Sequence, residues 1–380
     1  MRPEDQLSSP SSFPIKHVIV CCQENHSFDS YFGSYSGLPA GYGIPAGLTQ
    51  PDGKGGTVAP FHFTNLTTDN TDPGHNWNDI HTEWDNGAMD GFYTTGGLAT
   101  LGYYEAADLP YYYSLLSQYT LCANYFGGCL TETFPNRLVL YAATSGGNTS
   151  NSIKNGTLTF PCILDLMASH GITFKNYNFY CTDNYSNFAL FQNWATGGPN
   201  NELNQPMAQF FTDCTGDTLA QVSFITEAPP YDEHPAANVQ TGMQMIESIV
   251  AAVQKSAAWS STAILITYDE AGGFFDHMAP KQLDAYGPGV RVPMIVASPF
   301  AKPGYVDTTF SDHSSVLKFI EATFGLPTLA SINHEFDTST PTANNQANGA
   351  PFPPRDGNPA LSDLTQCFDF TRPALGAAGS

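Results

Sequence analysis

The sequence predicts an α/β protein whose mainly parallel central sheet is sandwiched by helices, with long loop insertions. Three observations carry this. Short apolar runs read as fully buried strands, as a parallel sheet requires. Amphipathic helical segments alternate with them. Two of the runs end abruptly in amides and carboxylates, the placement expected of ligand-bearing residues beyond the carboxyl ends of open α/β strands.

Taken in order, Val18-Ile19-Val20-Cys21 is the first strand, and Gln23-Glu24-Asn25-His26-Ser27-Phe28-Asp29 follows it. Residues 35 to 60 hold Gly37, Pro39, Gly41, Gly43, Pro45 and Gly47 and read as a long surface loop. The polar stretch Thr182 to Gln205 reads the same way, and both are candidate lids. A helix is expected from about Asn136, with Thr133 able to serve as a cap. Ile246, Ile249, Val250 and Val253 recur at helical spacing between Gln240 and Trp259. That helix leads into the strand Ala263–Tyr268, then Thr267-Tyr268-Asp269-Glu270-Ala271-Gly272-Gly273-Phe274-Phe275-Asp276-His277. Val292–Ala297 is the next strand, and Ser314 to Phe324 an amphipathic helix. The Pro/Asn/Ala-rich tail 333–380 is expected to wrap the surface, so that 1–380 forms a single domain with its core at about 16–327.

Bulk properties exclude several classes. With 41% hydrophobic residues the chain can build a large core, yet no apolar run approaches the length of a membrane span. Only 13% of residues are charged and the formal net charge is −22, which repels nucleic acid and anionic lipid. Below about pH 4 the carboxylates protonate and the ten His charge, so this composition suits an acidic medium. The eight Cys show no Cys-x-x-Cys spacing, which argues against a zinc ribbon and leaves disulfide pairing open. Disulfides would fit a secreted or periplasmic protein. Met1–Phe13 lacks a signal pattern, so export implies a leader outside the given sequence. Asn65, Asn148, Asn155 and Asn184 each begin a glycosylation-type triplet.

Glu24, Asn25, Asp269 and Glu270, brought to one sheet edge, form an all-oxygen ligand set. Such a set suits one hard divalent ion, Ca, Mg or Mn, better than a thiolate-type zinc site, with zinc the remaining option. Thr131-Glu132-Thr133-Phe134-Pro135-Asn136-Arg137 adds a hydroxyl and a cation. Asp72-Pro73-Gly74-His75, Asn86 to Phe92, Asp232-Glu233-His234-Pro235 and Arg291-Val292-Pro293 running to Asp312-His313 supply further polar positions.

With these segments the chain resembles the phosphoesterase family of bacterial phospholipases C and related acid phosphatases, over roughly residues 16 to 327. The resemblance implies an alkaline-phosphatase-like sandwich. It implies Thr133 as nucleophile, two residues before the Pro of Pro-Asn-Arg, and a phospho-threonine intermediate. A Thr hydroxyl needs activation, which metal coordination supplies without a basic side chain. His75 and His234 are expected to donate to phosphate, one of them to the leaving group. Asn136, Arg137 and His277 are expected around the substrate, with Asp312 and His313 at the rim. Where relatives carry Gly-Pro before the nucleophile, this chain has Thr131-Glu132, a departure that bears on substrate preference.

The expected activity is a metal-dependent phosphoric ester hydrolase of phospholipase C type; the alternative is an acid phosphatase working on monoesters at low pH. The partner is then a small phosphate ester or a phospholipid headgroup, with neither nucleic acid nor an integral membrane contact. A sulfuryl-transfer relative would need Cys or Ser at position 133, and a non-catalytic binding protein need not have kept the ligand, hydroxyl and His positions together. Tyr111-Tyr112-Tyr113 reads either as core or as a lipid entrance.

Overall fold

The computed structural model describes residues 13–179, 187–195, 204–332 and 353–376. Its centre is an eight-stranded sheet. In chain order the strands are β1 (His17–Gln23), β2 (Thr120–Cys122), β3 (Phe174–Asn178), β4 (Asn204–Pro206), β5 (Val222–Thr226), β6 (Thr262–Tyr268), β7 (Met294–Ala297) and β8 (Tyr305–Asp307). Across the sheet they lie β8-β2-β7-β6-β1-β5-β3-β4. Seven run in one direction; β7 is antiparallel to both its neighbours. The expected mainly parallel α/β sheet is therefore present.

The helices used below are α1 (Phe28–Phe32), α2 (Trp77–Trp84), α3 (Pro110–Gln118), α4 (Thr133–Ala142), α5 (Val239–Lys255) and α6 (Ser314–Phe324). Helix α5 starts where the Asn238 side chain accepts from Gln240 N, and it buries Met243, Ile246, Ile249, Val250 and Val253 along one stripe. Helix α6 ends at Gly325, whose φ of +67° suits a residue without Cβ. Because both sheet faces are covered, adjacent Cys21 and Cys22 point to opposite sides and are both buried.

Five expectations change. The Val292–Ala297 strand begins at Met294 and runs against its neighbours. Helix α4 begins at Thr133, not Asn136, because Pro135 is tolerated in a first turn whose N–H groups need no helical partner. The loop 35–60 is exposed over much of its length but contains the paired strands Gln50–Pro51 and Thr57–Val58. Only 353–376 of the tail is described, and it joins the core: Leu364 and Cys367 are fully buried, and Phe368 stacks on Phe319. Of the Thr182–Gln205 stretch, 182–186 and 196–203 lie outside the described residues, and Phe188 and Leu190 are core residues.

Candidate active site

Neighbouring β1 and β6 are in register, with Gln23 opposite Tyr268. Their next residues, Glu24-Asn25 and Asp269-Glu270, therefore emerge at the same sheet edge. Two bonds from backbone N–H groups hold the strand ends together: Asp269 N donates to Gln23 O, and Asn25 N donates to the Asp269 side-chain Oδ1 at 3.1 Å. Asn25 adopts φ +59°, which Asn tolerates, and this turns its amide inward. The glycines after Glu270 allow the close approach. A Cβ on Gly272 would lie 2.5 Å from Asn25 O, and one on Gly273 would lie 2.6 Å from Gly74 O, in the turn that carries His75. Both glycines have positive φ.

At the centre the Asn25 side chain touches four groups. Its Oδ1 lies 3.2 Å from Glu24 Oε2 and 3.0 Å from Glu270 Oε1. Its Nδ2 lies 3.3 Å from His75 Nε2 and 3.2 Å from His234 Nε2. In this orientation the Asn25 amide presents an oxygen, not a donor, to both carboxylates. Without a cation that arrangement repels, and reversing the amide would satisfy every group. With a cation it is favourable: oxygens bound at ~2.1–2.4 Å and at right angles around one ion sit about 3.0–3.4 Å apart. The residues present fit a hard divalent ion held by Glu24, Asn25 and Glu270.

Asp269 is also at the centre, but its own oxygens are engaged. Oδ1 accepts from Asn25 N and Glu270 N, and Oδ2 faces Arg137 Nε at 3.4 Å. Burial and the Asp269 charge push the Glu24 carboxyl well above the ordinary range, against Arg137. Burial raises Glu270 to about 8, opposed by His75 and assisted by Asp269. Burial acts to lower His75, but Glu270 and the Pro73 carbonyl outweigh it and lift the imidazole to about 9.

The two imidazoles are oriented alike. His75 Nδ1 lies 2.7 Å from Pro73 O, and His234 Nδ1 lies 2.6 Å from Pro235 O. A carbonyl only accepts, so the proton sits on Nδ1 in each, and each Nε2 faces Asn25. Thr133 opens α4 and is half-buried. Four residues on, one helical turn along α4, Arg137 meets Glu24 and Asp269. Thr131, the other hydroxyl, is buried and donates to Thr149 O. Glu132 is not left facing the site unpaired: its Oε1 accepts from Asn151 N at 2.5 Å.

The structure does not open Asn136, Arg137 or His277 to a substrate. Asn136 is fully buried; its amide donates to Thr131 O and Glu132 O and accepts from Cys129 N, fastening the turn before α4. Arg137 is fully buried, with Nη2 2.7 Å from Glu24 Oε1. His277 binds Asp29 Oδ2 through Nδ1 and Gly41 O through Nε2. Asp29, Asp276 and His277 lie close enough to hold an ion. Arg291, however, already pairs with both carboxylates, so the cluster is a satisfied charge network tying α1 to the loop after β6. His313 is buried; its Nε2 donates to Asp269 O at 2.6 Å and its Nδ1 lies 2.9 Å from Tyr125 Oη.

Sequence reasoning passed over Glu233. Its carboxylate is buried and accepts from Tyr31, Tyr112 and Tyr268 Oη at 2.5, 2.5 and 2.6 Å, and from Gln23 Nε2. It anchors the turn that presents His234. The signal was its place between Asp232 and His234; the three tyrosines come from separate elements and share no spacing. Tyr112 is thereby a core residue and lines no entrance.

A family model described as the phosphoesterase family matches residues 15–327. Non-hemolytic phospholipase C of Pseudomonas aeruginosa is 30% identical over 82% of this chain and 54% of its own length. Phospholipase C A of Mycobacterium tuberculosis is 30% identical over 82% of this chain and 73% of its own. Non-specific phospholipase C4 of Arabidopsis thaliana is 28% identical over 80% and 65%. This chain spans between 53% and 59% of the Pseudomonas and Burkholderia relatives it matches. Among solved structures, a protein in the alkaline phosphatase superfamily from Vibrio parahaemolyticus matches 84% of this chain and 69% of its own, at 10% identity and a TM-score of 0.41.

Proposed function

The chain belongs to the phosphoesterase family, and from that premise we propose that it is a metal-dependent phosphoric ester hydrolase of phospholipase C type, with Thr133 as nucleophile. The observation that carries the proposal is the convergence of the Glu24 and Glu270 carboxylates, the Asn25 amide and two imidazole Nε2 atoms on one point at the sheet edge. A divalent ion bound there supplies charge neutralisation to a phosphoryl group and acidifies a nearby hydroxyl.

The chain's own residues do the rest. Thr133, at the N-terminus of α4, presents its hydroxyl where helix geometry favours an anion. The hydroxyl proton passes to solvent as Oγ1 bonds to phosphorus, the bond from phosphorus to the leaving oxygen breaks, and the alcohol departs; water then cleaves the phospho-threonine and restores the hydroxyl. His75 and His234, fixed with Nε2 toward the centre, hold the phosphoryl oxygens when protonated, and one returns a proton to the leaving oxygen. Arg137 acts on the strand-end carboxylates rather than the substrate, pairing with Glu24 and Asp269 and holding them in place. Nothing in this chemistry needs a basic side chain near neutrality, so it tolerates acid.

The relatives are named for action on phospholipids, which favours a diester. A net charge of −22 and ten His favour the second reading, a monoesterase at low pH. Purified protein assayed on phosphatidylcholine, p-nitrophenyl phosphorylcholine and p-nitrophenyl phosphate from pH 3 to 8 separates them. Turnover of either diester above the monoester is expected; preference for the monoester supports the second reading, and inertness toward all three with metal added overturns both.

A further inference from the structure

Cys122 closes strand β2 near the sheet edge, and Cys367 lies in the helical turn Thr365–Cys367 of the C-terminal segment. Their Sγ atoms are 3.6 Å apart, across 245 residues of sequence, and both side chains are fully buried. The backbone around each is fixed independently of the thiols. Cys122 pairs with Asp307 in the β2–β8 ladder. Cys367 O accepts from Lys302 N and from Thr120 Oγ1, and Phe368 bridges to Ala301. The sulfurs are in van der Waals contact, and a bond would bring them to ~2.05 Å.

Asp307 is the third group near these thiols and makes the trio a conceivable metal site. Its oxygens are already used: Oδ1 accepts from Thr309 Oγ1 at 2.8 Å and Oδ2 from Gln366 Nε2 at 3.0 Å. A tetrahedral thiolate site would also need a fourth ligand. The pair is therefore better suited to oxidation than to zinc.

We propose that Cys122 and Cys367 form a structural disulfide when the chain folds in the presence of a disulfide oxidant. One thiolate attacks a sulfur of the oxidant and displaces a thiol, giving a mixed disulfide. The second thiolate attacks that bond and displaces the other thiol. In total two protein thiols and one disulfide become one protein disulfide and two thiols. The link staples the segment 353–376 to the sheet. That segment carries Arg355, whose guanidinium binds Asp284, Asp312 and Gly128 O beside the His313 turn. A bond closing so long a loop removes much freedom from the unfolded chain.

The test uses the full chain refolded with oxidised glutathione, then alkylated in denaturant and digested without reductant. The peptides containing Cys122 and Cys367 are expected as one species that dithiothreitol separates, and reduction is expected to lower the unfolding midpoint by several degrees. The single variants Cys122→Ser and Cys367→Ser should lose that response to reductant; if either fails to fold, the peptide map and the midpoint of the unaltered chain still decide. Full alkylation of both thiols when glutathione-treated protein is alkylated in denaturant overturns the proposal, as does bonding of either to another cysteine. So does one zinc per chain that both variants lose.

Discussion

Asn25 and Asp269, 244 residues apart, are joined by a 3.1 Å bond from the backbone N–H of one to the carboxylate of the other. That bond makes the ends of β1 and β6 a single unit. Asn25 is held with its side chain between Glu24, Glu270, His75 and His234, so whatever stabilises its orientation stabilises the whole site.

Thr133→Ala should lower kcat by at least ~10³-fold, since a deleted nucleophile leaves only electrostatic and binding terms. Its half-buried position predicts little change in stability. Thr131→Ala is the control: losing a buried bond to Thr149 O should cost about 1 kcal/mol of stability while most activity remains. Steady-state kinetics and urea unfolding of both variants check the assignment. The reverse pattern would move the nucleophile to Thr131.

Arg137→Met should destabilise the fold by roughly 3–5 kcal/mol, because Glu24 and Asp269 lose their buried cation. Added divalent ion should recover part of this, since it replaces the missing charge. Chemical unfolding with and without metal measures both effects. A mild loss confined to KM would instead return Arg137 to the substrate.

Gly272→Ala should cost roughly 1–3 kcal/mol through its φ of +64° and the clash with Asn25 O. It should also reduce metal affinity, because the clash falls on a ligand residue. Gly171→Ala makes the comparison: φ is +70° there, but a Cβ meets nothing within 4 Å, so only the strain term applies.

Glu227 is buried, its carboxylate has no hydrogen-bond partner among the described residues, and burial with nearby Asp232 lifts it to about 8. Folded, it holds its proton more tightly than in the unfolded chain. Stability from this group is therefore greatest below about pH 4.5 and falls as pH rises toward 8, by ~1.4 kcal/mol per unit within that window. Thermal unfolding from pH 4.5 to 8 should show a declining midpoint that Glu227→Gln flattens. An unchanged slope in the variant would assign the decline to other groups.

The parts of the site visible in sequence were those in which local pattern and tertiary position coincide. An apolar strand of β1 or β6 followed at once by Glu24-Asn25 or Asp269-Glu270 places carboxylates and an amide at a sheet edge without further information. Direction is not encoded in such patterns, and β7 reads as a buried strand whichever way it runs. The partners of Arg137 are illegible for a related reason: its motif fixes its helix, but Glu24 and Asp269 come from the ends of β1 and β6. Glu233 depends on tyrosines from α1, α3 and β6, a convergence with no linear trace. The tail 353–376 looked like surface wrapping because Pro and Asn conceal Leu364 and Cys367, which pack inward.

The central claim concerns the oxygens around Asn25, and metal content tests it most directly. Protein loaded with Ca, Mg or Mn, desalted, and measured by elemental analysis should retain one divalent ion per chain, while Asn25→Ala and Glu270→Gln should retain almost none with unchanged circular dichroism. One ion per chain in both variants, or none in the unaltered protein, would contradict it.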